Sequence, residues 1–191
     1  MKKHKFKNVI IIGAPRSGTN MLRDVLCSIE GFDTWPCDEI NFIWRHGNIK
    51  SQSDELRTDQ ANDYVKKFIR DKFCRLQKKK NSKVIVEKTC ANSLRVPFVN
   101  EIIPDAKFIY IKRDMLDVVG SAKHRWKAPI NLIYLLKKAQ FVPIFDLPYY
   151  ASKFILSRIH RFFSNEKRVA FWGRSEEHTS ELQSPCNLVC R

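Results

Sequence analysis

Nowhere in this chain do apolar residues run on for the roughly 18 positions that a membrane span requires. That argues against a transmembrane anchor. No secretory leader is expected either: Met1-Lys2-Lys3-His4-Lys5 is charged, but a short strand-like run follows, with no small-residue cleavage pattern. The six cysteines, at 27, 37, 74, 90, 186 and 190, have no framework spacing, so they read as reduced thiols of a cytoplasmic protein. His46, His124 and His160 are scattered without ligand spacing, which leaves them structural or exposed and gives no reason to expect a metal. Acidic residues are scarce. There are 20 against 35 Lys and Arg, for a net charge of +15, which favours an anionic partner. No nucleic-acid motif accompanies that charge, and nucleic acid is not expected. The one short basic run, Lys78-Lys79-Lys80, reads as a solvated helix end.

Against these absences stands one dense stretch, Val9-Ile10-Ile11-Ile12-Gly13-Ala14-Pro15-Arg16-Ser17-Gly18-Thr19-Asn20. Four β-branched residues run into a loop bounded by Gly13 and Gly18, and Met21, Leu22, Val25, Leu26 and Ile29 then recur at helical spacing. A strand, a tight loop and a helix start, in that order, make an anion cradle. Loop and first-turn N–H groups converge on one spot, the helix dipole adds positive potential, and glycine lets the backbone come close. The Gly-x-x-x-x-Gly spacing is that of an ATP or GTP loop, which continues with Lys and then Ser or Thr. Thr19 and Asn20 fill those places here, and a cation, Arg16, sits inside the loop instead. The cradle therefore departs from the NTPase recipe. The plainer alternative is a strand–helix turn with no ligand.

The rest of the chain alternates. Lys7–Ile12 predicts a central strand, buried on both faces because the apolar run is continuous. A helix is expected from about Ser17 to Ile29, stopped by Gly31, then a short extended piece from Phe32 to Trp35. Cys37-Asp38-Glu39-Ile40-Asn41 puts two adjacent carboxylates after it. Either could act as a base, or cap a helix starting near Ile40. Asp59–Gln77 reads as a helix with Ala61, Tyr64, Val65, Phe68, Ile69 and Phe73 on its core face. Strands are predicted at Lys83–Glu87 and Lys107–Ile111. Between them lies a helix capped by Asn92 or Ser93 and running to about Ile103, with Pro97 near its start; a helix from Asp117 to about Trp126 follows. The pattern is α/β: a three-layer sandwich with a central parallel sheet flanked by helices, its ligand site at the carboxyl ends of the strands. The 13–19 loop, Lys88 and Arg113 all fall there.

Three ordered blocks carry a resemblance: Gly13-Ala14-Pro15-Arg16-Ser17-Gly18-Thr19; Val86-Glu87-Lys88-Thr89; and Phe108-Ile109-Tyr110-Ile111-Lys112-Arg113-Asp114 with Asp117 and Ser121. Together they resemble the sulfotransferase family, which takes sulfate from 3′-phosphoadenosine 5′-phosphosulfate (PAPS). The Pro-Arg-Ser-Gly-Thr branch, with protein-tyrosine sulfotransferases and many bacterial enzymes, is the nearer one. The resemblance implies a P-loop-like fold that needs no metal. It places Gly13, Pro15, Arg16, Ser17, Gly18, Thr19 and Asn20 around the 5′-phosphosulfate. Arg113, at a strand end, and Ser121, eight positions on, would read the 3′-phosphate. It makes Arg16, Glu39 and Lys88 catalytic: Arg16 neutralises the leaving group, Glu39, with Asp38 as the alternative, takes the acceptor proton, and Lys88 assists at the sulfuryl group. A plain surface salt bridge of Lys88 to Glu87 or Asp105 remains open. The implied acceptor bears a hydroxyl, with a saccharide or lipid-linked glycan favoured.

Residues 129–172 differ in texture, with aromatic and aliphatic residues interleaved with lysine and arginine and broken by Pro143 and Pro148. Core packing is the first reading; a lid over the acceptor, or a basic amphipathic surface peripheral to a membrane, is the second. Arg174 to Ser184 matches the translation of a common sequencing-library adapter. Residues 174–191 are therefore expected to be a non-native tail. Residues 1–173 are expected to be the N-terminal part of a truncated domain, poorly stable or inactive, with an open sheet edge. Two rival functions stay in view: a P-loop nucleotide kinase or NTPase, and a non-enzymatic basic anion-binding module.

Overall fold

The computed structural model describes residues 7–126 and 141–153. β-Branched side chains suit a pleated surface covered on both faces, and the two richest runs of them form the middle of the sheet. These are β1 (Asn8–Ile12) and β3 (Val84–Lys88). All four strands are parallel, in the order β2 (Phe32–Thr34), β3, β1, β4 (Lys107–Tyr110). Side chains alternate between the faces. Ile10, Ile12 and Ile85 point into the larger core, with Trp44, Ile69, Phe73 and Phe98. That core is closed by α2 (Asn41–Trp44), α3 (Asp63–Lys80) and α4 (Val96–Ile102). Val9, Ile11, Val84 and Val86 face Leu22 and Leu26 of α1 (Thr19–Cys27) on the other side. The expected α/β architecture, a parallel sheet flanked by helices, is what the chain adopts.

The topology places the site. From β1 the chain runs out to β2, returns to β3 beside β1, then crosses to β4 on the other flank of β1. The crevice at the carboxyl end of β1 is therefore where the direction of winding reverses, the position at which such sheets bind ligands. Ile12, Lys88 and Ile111 meet at that end: Ile11 is in register with Lys88, and the Ile111 N–H donates to Ile12 O at 2.9 Å.

Several local readings shift. Phe32–Thr34 is a strand of the main sheet, paired with Val84–Val86, and not only an extended link. α1 begins at Thr19, not Ser17, because Arg16 (φ 68°) and Gly18 (φ 94°) both take left-handed backbone that holds the turn out of the helix. Of the apolar stripe on α1, Leu22 and Leu26 meet the sheet, whereas Met21, Val25 and Ile29 are exposed. α3 starts at Asp63, after a 3₁₀ turn at Thr58–Gln60, where Asn62 Oδ1 accepts the Val65 N–H at 3.0 Å. Its core face is Val65, Ile69, Phe73 and Leu76, while Tyr64 is exposed. Lys78–Lys80 form its last turn. A 3₁₀ turn at Cys90–Leu94 replaces the start of the helix expected from Asn92 or Ser93, and Pro97 sits in the first turn of α4. α5 (Met115–Trp126) follows β4.

Residues 141–153 pack over α2. Phe141 meets Trp35 edge-on, with ring centroids 6.4 Å apart, and Tyr150 meets Phe42 at 4.9 Å. The remainder of the 129–172 region, with its lid and membrane-surface readings, and the 174–191 tail lie outside the described residues. Among the described residues, no helix is long and apolar enough to cross a membrane.

Candidate active site

The loop after β1 is held from below by a serine. Gly13 N–H donates to Ser93 Oγ (3.2 Å), and the same hydroxyl donates back to Gly13 O (3.0 Å). A Cβ at Gly13 would lie 2.6 Å from Ile111 Cγ2 and 2.8 Å from Ile111 O, so only glycine fits between β1 and the end of β4. Gly13→Ala should therefore push Ile111 outward and cost about 1–3 kcal/mol, the range for overpacking a tight site. A lowered urea midpoint at unchanged m-value would show it.

At the top of the loop, α1 starts on Gly18 with no side-chain cap and no acidic residue in its first turn. α3, by contrast, has both. The first N–H groups of a helix have no intrahelical acceptor, so those at the start of α1 face outward with the dipole behind them. The Ser17 N–H is turned inward to Ala14 O at 3.2 Å, which leaves the outward role to residues 18–20. Two cations and one hydroxyl expected around one nucleotide come together here. Arg16 Nε donates to Ser121 Oγ at 3.0 Å, and Arg113 Nη1 donates to the Arg16 carbonyl at 3.3 Å. Arg113 also rests on Asp117 at 3.4 Å. Among the described residues, none of these three groups is held by a buried ion pair; the Arg113–Asp117 pair is exposed.

The other wall of the crevice is acidic and basic at once. Glu39 Oε1 accepts Lys88 Nζ at 2.9 Å and the Cys90 N–H at 3.3 Å. The two charged side chains are only 11% and 5% exposed. Lys88 Nζ lies 3.8 Å from Cys90 Sγ, which lies 3.9 Å from Thr19 Oγ1, so the pair reaches the first residue of α1. Burial works against the Lys88 ammonium, but the Glu39 carboxylate more than offsets it and holds its pKa above the usual lysine range. Burial pushes the Cys90 thiol up, and the charge of Glu39 adds to that, so Cys90 stays a thiol. Asp38 points elsewhere: it pairs with Arg23 of α1 at 3.1 Å, with its side chain 45% exposed. Neither carboxylate caps α2, whose N-cap is Ile40 without a side-chain bond. The salt bridge of Lys88 is thus to Glu39, not to Glu87 or Asp105.

Beneath this wall lies a polar network that the sequence alone does not announce. Glu87, fully buried, accepts from the Thr89 hydroxyl and from Asn92 Nδ2 (2.9 Å). Asn92 Oδ1 accepts from Arg95 Nε (2.9 Å), and Arg95 continues to Asn41 and Asp54. Burial pushes the Glu87 carboxyl from its ordinary 4.5 up to about 7, against the pull of the Thr89 hydroxyl and of Arg95. The sign follows from linkage: between those values the folded chain keeps a proton that the unfolded chain has released. The contribution of Glu87 to stability is therefore largest in acid and falls as pH rises from about 4.5 to 7, by on the order of 3 kcal/mol. Urea unfolding at pH 5.5 and 8 should show about 2 kcal/mol of that loss in the wild type and none of it in Glu87→Gln. The motif Glu87-Lys88-Thr89 at a strand end was the one legible signal of the network.

His46 is buried rather than exposed. Its Nδ1 is 2.7 Å from Asp146 and its Nε2 is 2.8 Å from the Tyr64 hydroxyl, which ties residues 141–153 to α2 and α3.

The model of the Sulfotransferase family matches residues 8–131. No curated protein matches the chain. The matched span begins at β1, contains the loop, Glu39, Lys88, Arg113 and Ser121, and covers well over half of the sequence. By that match, this chain belongs to the sulfotransferase family.

Proposed function

We propose that the protein moves a sulfuryl group from PAPS to a hydroxyl acceptor, with residues 1–173 as the N-terminal part of the sulfotransferase domain. The observation that carries this reading is the meeting of Arg16, Arg113 and Ser121 at an uncapped helix start, opposite a buried carboxylate–ammonium pair. PAPS would supply the activated sulfuryl group and two phosphate-bearing ends, one for each part of this site. The N–H groups at residues 18–20 hold the 5′ end in the glycine-lined cradle, and Arg113 and Ser121 bind the 3′-phosphate. Arg16 sits inside the loop with a planar fork suited to an oxygen that gains charge as adenosine 3′,5′-bisphosphate leaves. Glu39 takes the acceptor proton as the acceptor oxygen bonds to sulfur and the bridging S–O bond breaks. Lys88 keeps Glu39 ionised; when a sulfuryl oxygen draws the ammonium away, the carboxylate becomes the stronger base.

The preference for a saccharide or lipid-linked glycan rests on the family resemblance. The cytoplasmic location rests on cysteines without framework spacing, and the contact with a membrane surface on the basic amphipathic texture of residues 129–172.

Thermal shift of the full-length gene product with adenosine 3′,5′-bisphosphate or Mg·ATP tests the donor. The bisphosphate should stabilise the protein. Arg113→Ala should weaken that binding by roughly 10- to 100-fold, the worth of hydrogen bonds from a charged group. Stabilisation by Mg·ATP alone would move the protein to the nucleotide kinases. Indifference to both, with steeply salt-dependent DNA binding, would leave a basic anion-binding module.

A further inference from the structure

The buried network under Glu39 has a direction. Thr89 Oγ1 accepts the Ile40 N–H at 3.1 Å, and its single proton goes to Glu87 Oε1. At the other end, Arg95 can only donate, so its bond to Asn92 Oδ1 turns the Asn92 amide group toward Glu87. Both neighbours therefore donate to Glu87, and both of its oxygens must accept. Only the carboxylate form closes this chain. A protonated Glu87 would present a hydrogen to a partner that already presents one.

The far end of the chain reaches the reaction site. Ile40 follows Glu39, whose carboxylate is seated on Lys88 and on the Cys90 N–H. Thr89 lies between Lys88 and Cys90. One hydroxyl thus ties the backbone behind the proposed base to the strand end that carries both of its partners.

We infer that Glu87 and Thr89 are positioning residues for Glu39: the ionised Glu87 carboxylate orients the Thr89 hydroxyl, and that hydroxyl clasps the Glu39–Ile40 backbone against the end of β3. The importance of the clasp for transfer rests on Glu39 being the base; the clasp itself does not. The charged groups around Glu87 come from each side. Arg95, after the Cys90–Leu94 turn, favours its ionised form, and Glu39, on the 35–40 loop, opposes it. Full burial sets the balance near neutral pH, at about 7. Acidification through that value should open the clasp without unfolding the protein.

Amide NMR of the full chain between pH 5.5 and 8.5 reads this directly. The Ile40 and Cys90 amide protons should titrate together with a midpoint near 7. Thr89→Ser, which keeps the hydroxyl, should retain the shared titration; Thr89→Val and Glu87→Gln should abolish it. Flat Ile40 and Cys90 signals in the wild type, or a titration that persists unchanged in Thr89→Val, would overturn the clasp. Adenosine 3′,5′-bisphosphate added to the same samples separates the two ideas. Failure to bind it, with the titration intact, removes the sulfuryl-donor reading and supports the clasp. Binding with flat amides removes the clasp alone.

Discussion

Glu39→Gln should slow sulfuryl transfer by about 10²–10⁴-fold, the usual worth of a positioned general base. Bisphosphate affinity should stay unchanged, because Glu39 touches the wall of the crevice opposite Arg113 and Ser121. Glutamine is the informative replacement. Its amide oxygen can still accept from Lys88 Nζ and from the Cys90 N–H, two bonds that seat Glu39, so the packing survives while the proton acceptor is lost. Asp38→Asn is the matched comparison. Asp38 is half exposed and held by Arg23, and the rate should remain near that of the wild type. Bisphosphate release at saturating donor measures both. Full activity in Glu39→Gln, or its loss in Asp38→Asn alone, would move the base one residue back.

Arg16→Ala should lower the rate by about 10²–10³-fold, the scale seen when one preorganised donor to a developing charge is removed. The effect should fall on kcat more than on donor affinity, because on the proposed reading the loop backbone and Arg113 would still bind the ends of the nucleotide. Arg16→Lys should recover only part of the rate, since a point charge replaces a planar fork. The backbone makes a further comparison useful. Arg16 holds φ at 68°, a conformation that glycine reaches without strain. Arg16→Gly should therefore be the more stable of the two truncations and equally slow. If the glycine variant transfers sulfate at the wild-type rate, Arg16 serves only the shape of the loop.

The parts of the site that were legible in the sequence are those built from consecutive residues. The strand-loop-helix at 8–27 and the ends of β3 and β4 announce themselves because a β-branched run, a glycine or a basic residue sits at each boundary. Their convergence follows from parallel topology, which puts every strand end on one side. What sequence could not supply was pairing across the fold. The partner of Glu39 is 49 residues away, and His46 meets Asp146 across 100. β2 is three residues long, too short for a period of two to be distinguished from a loop. The exposed stripe of α1 misled for a related reason: helical spacing names an apolar face but not its width. Met21, Val25 and Ile29 lie on the part that turns away from the sheet. Glu87 read as an ordinary charged residue because burial is a property of the assembled layers.

The bare start of α1 has one more consequence. A helix that begins on Gly18 without a capping side chain obtains its last hydrogen-bond partners from outside the chain. An anion that binds only the folded form stabilises it by about 2.7 kcal/mol at a hundredfold excess over Kd. That is enough to change the steady-state level of a marginal protein several-fold, because proteases act on the opened state. On the reading that PAPS is that anion, the lifetime of the protein should follow the supply of its donor: α1 should open more often when the donor runs low, and the protein should accumulate when it returns.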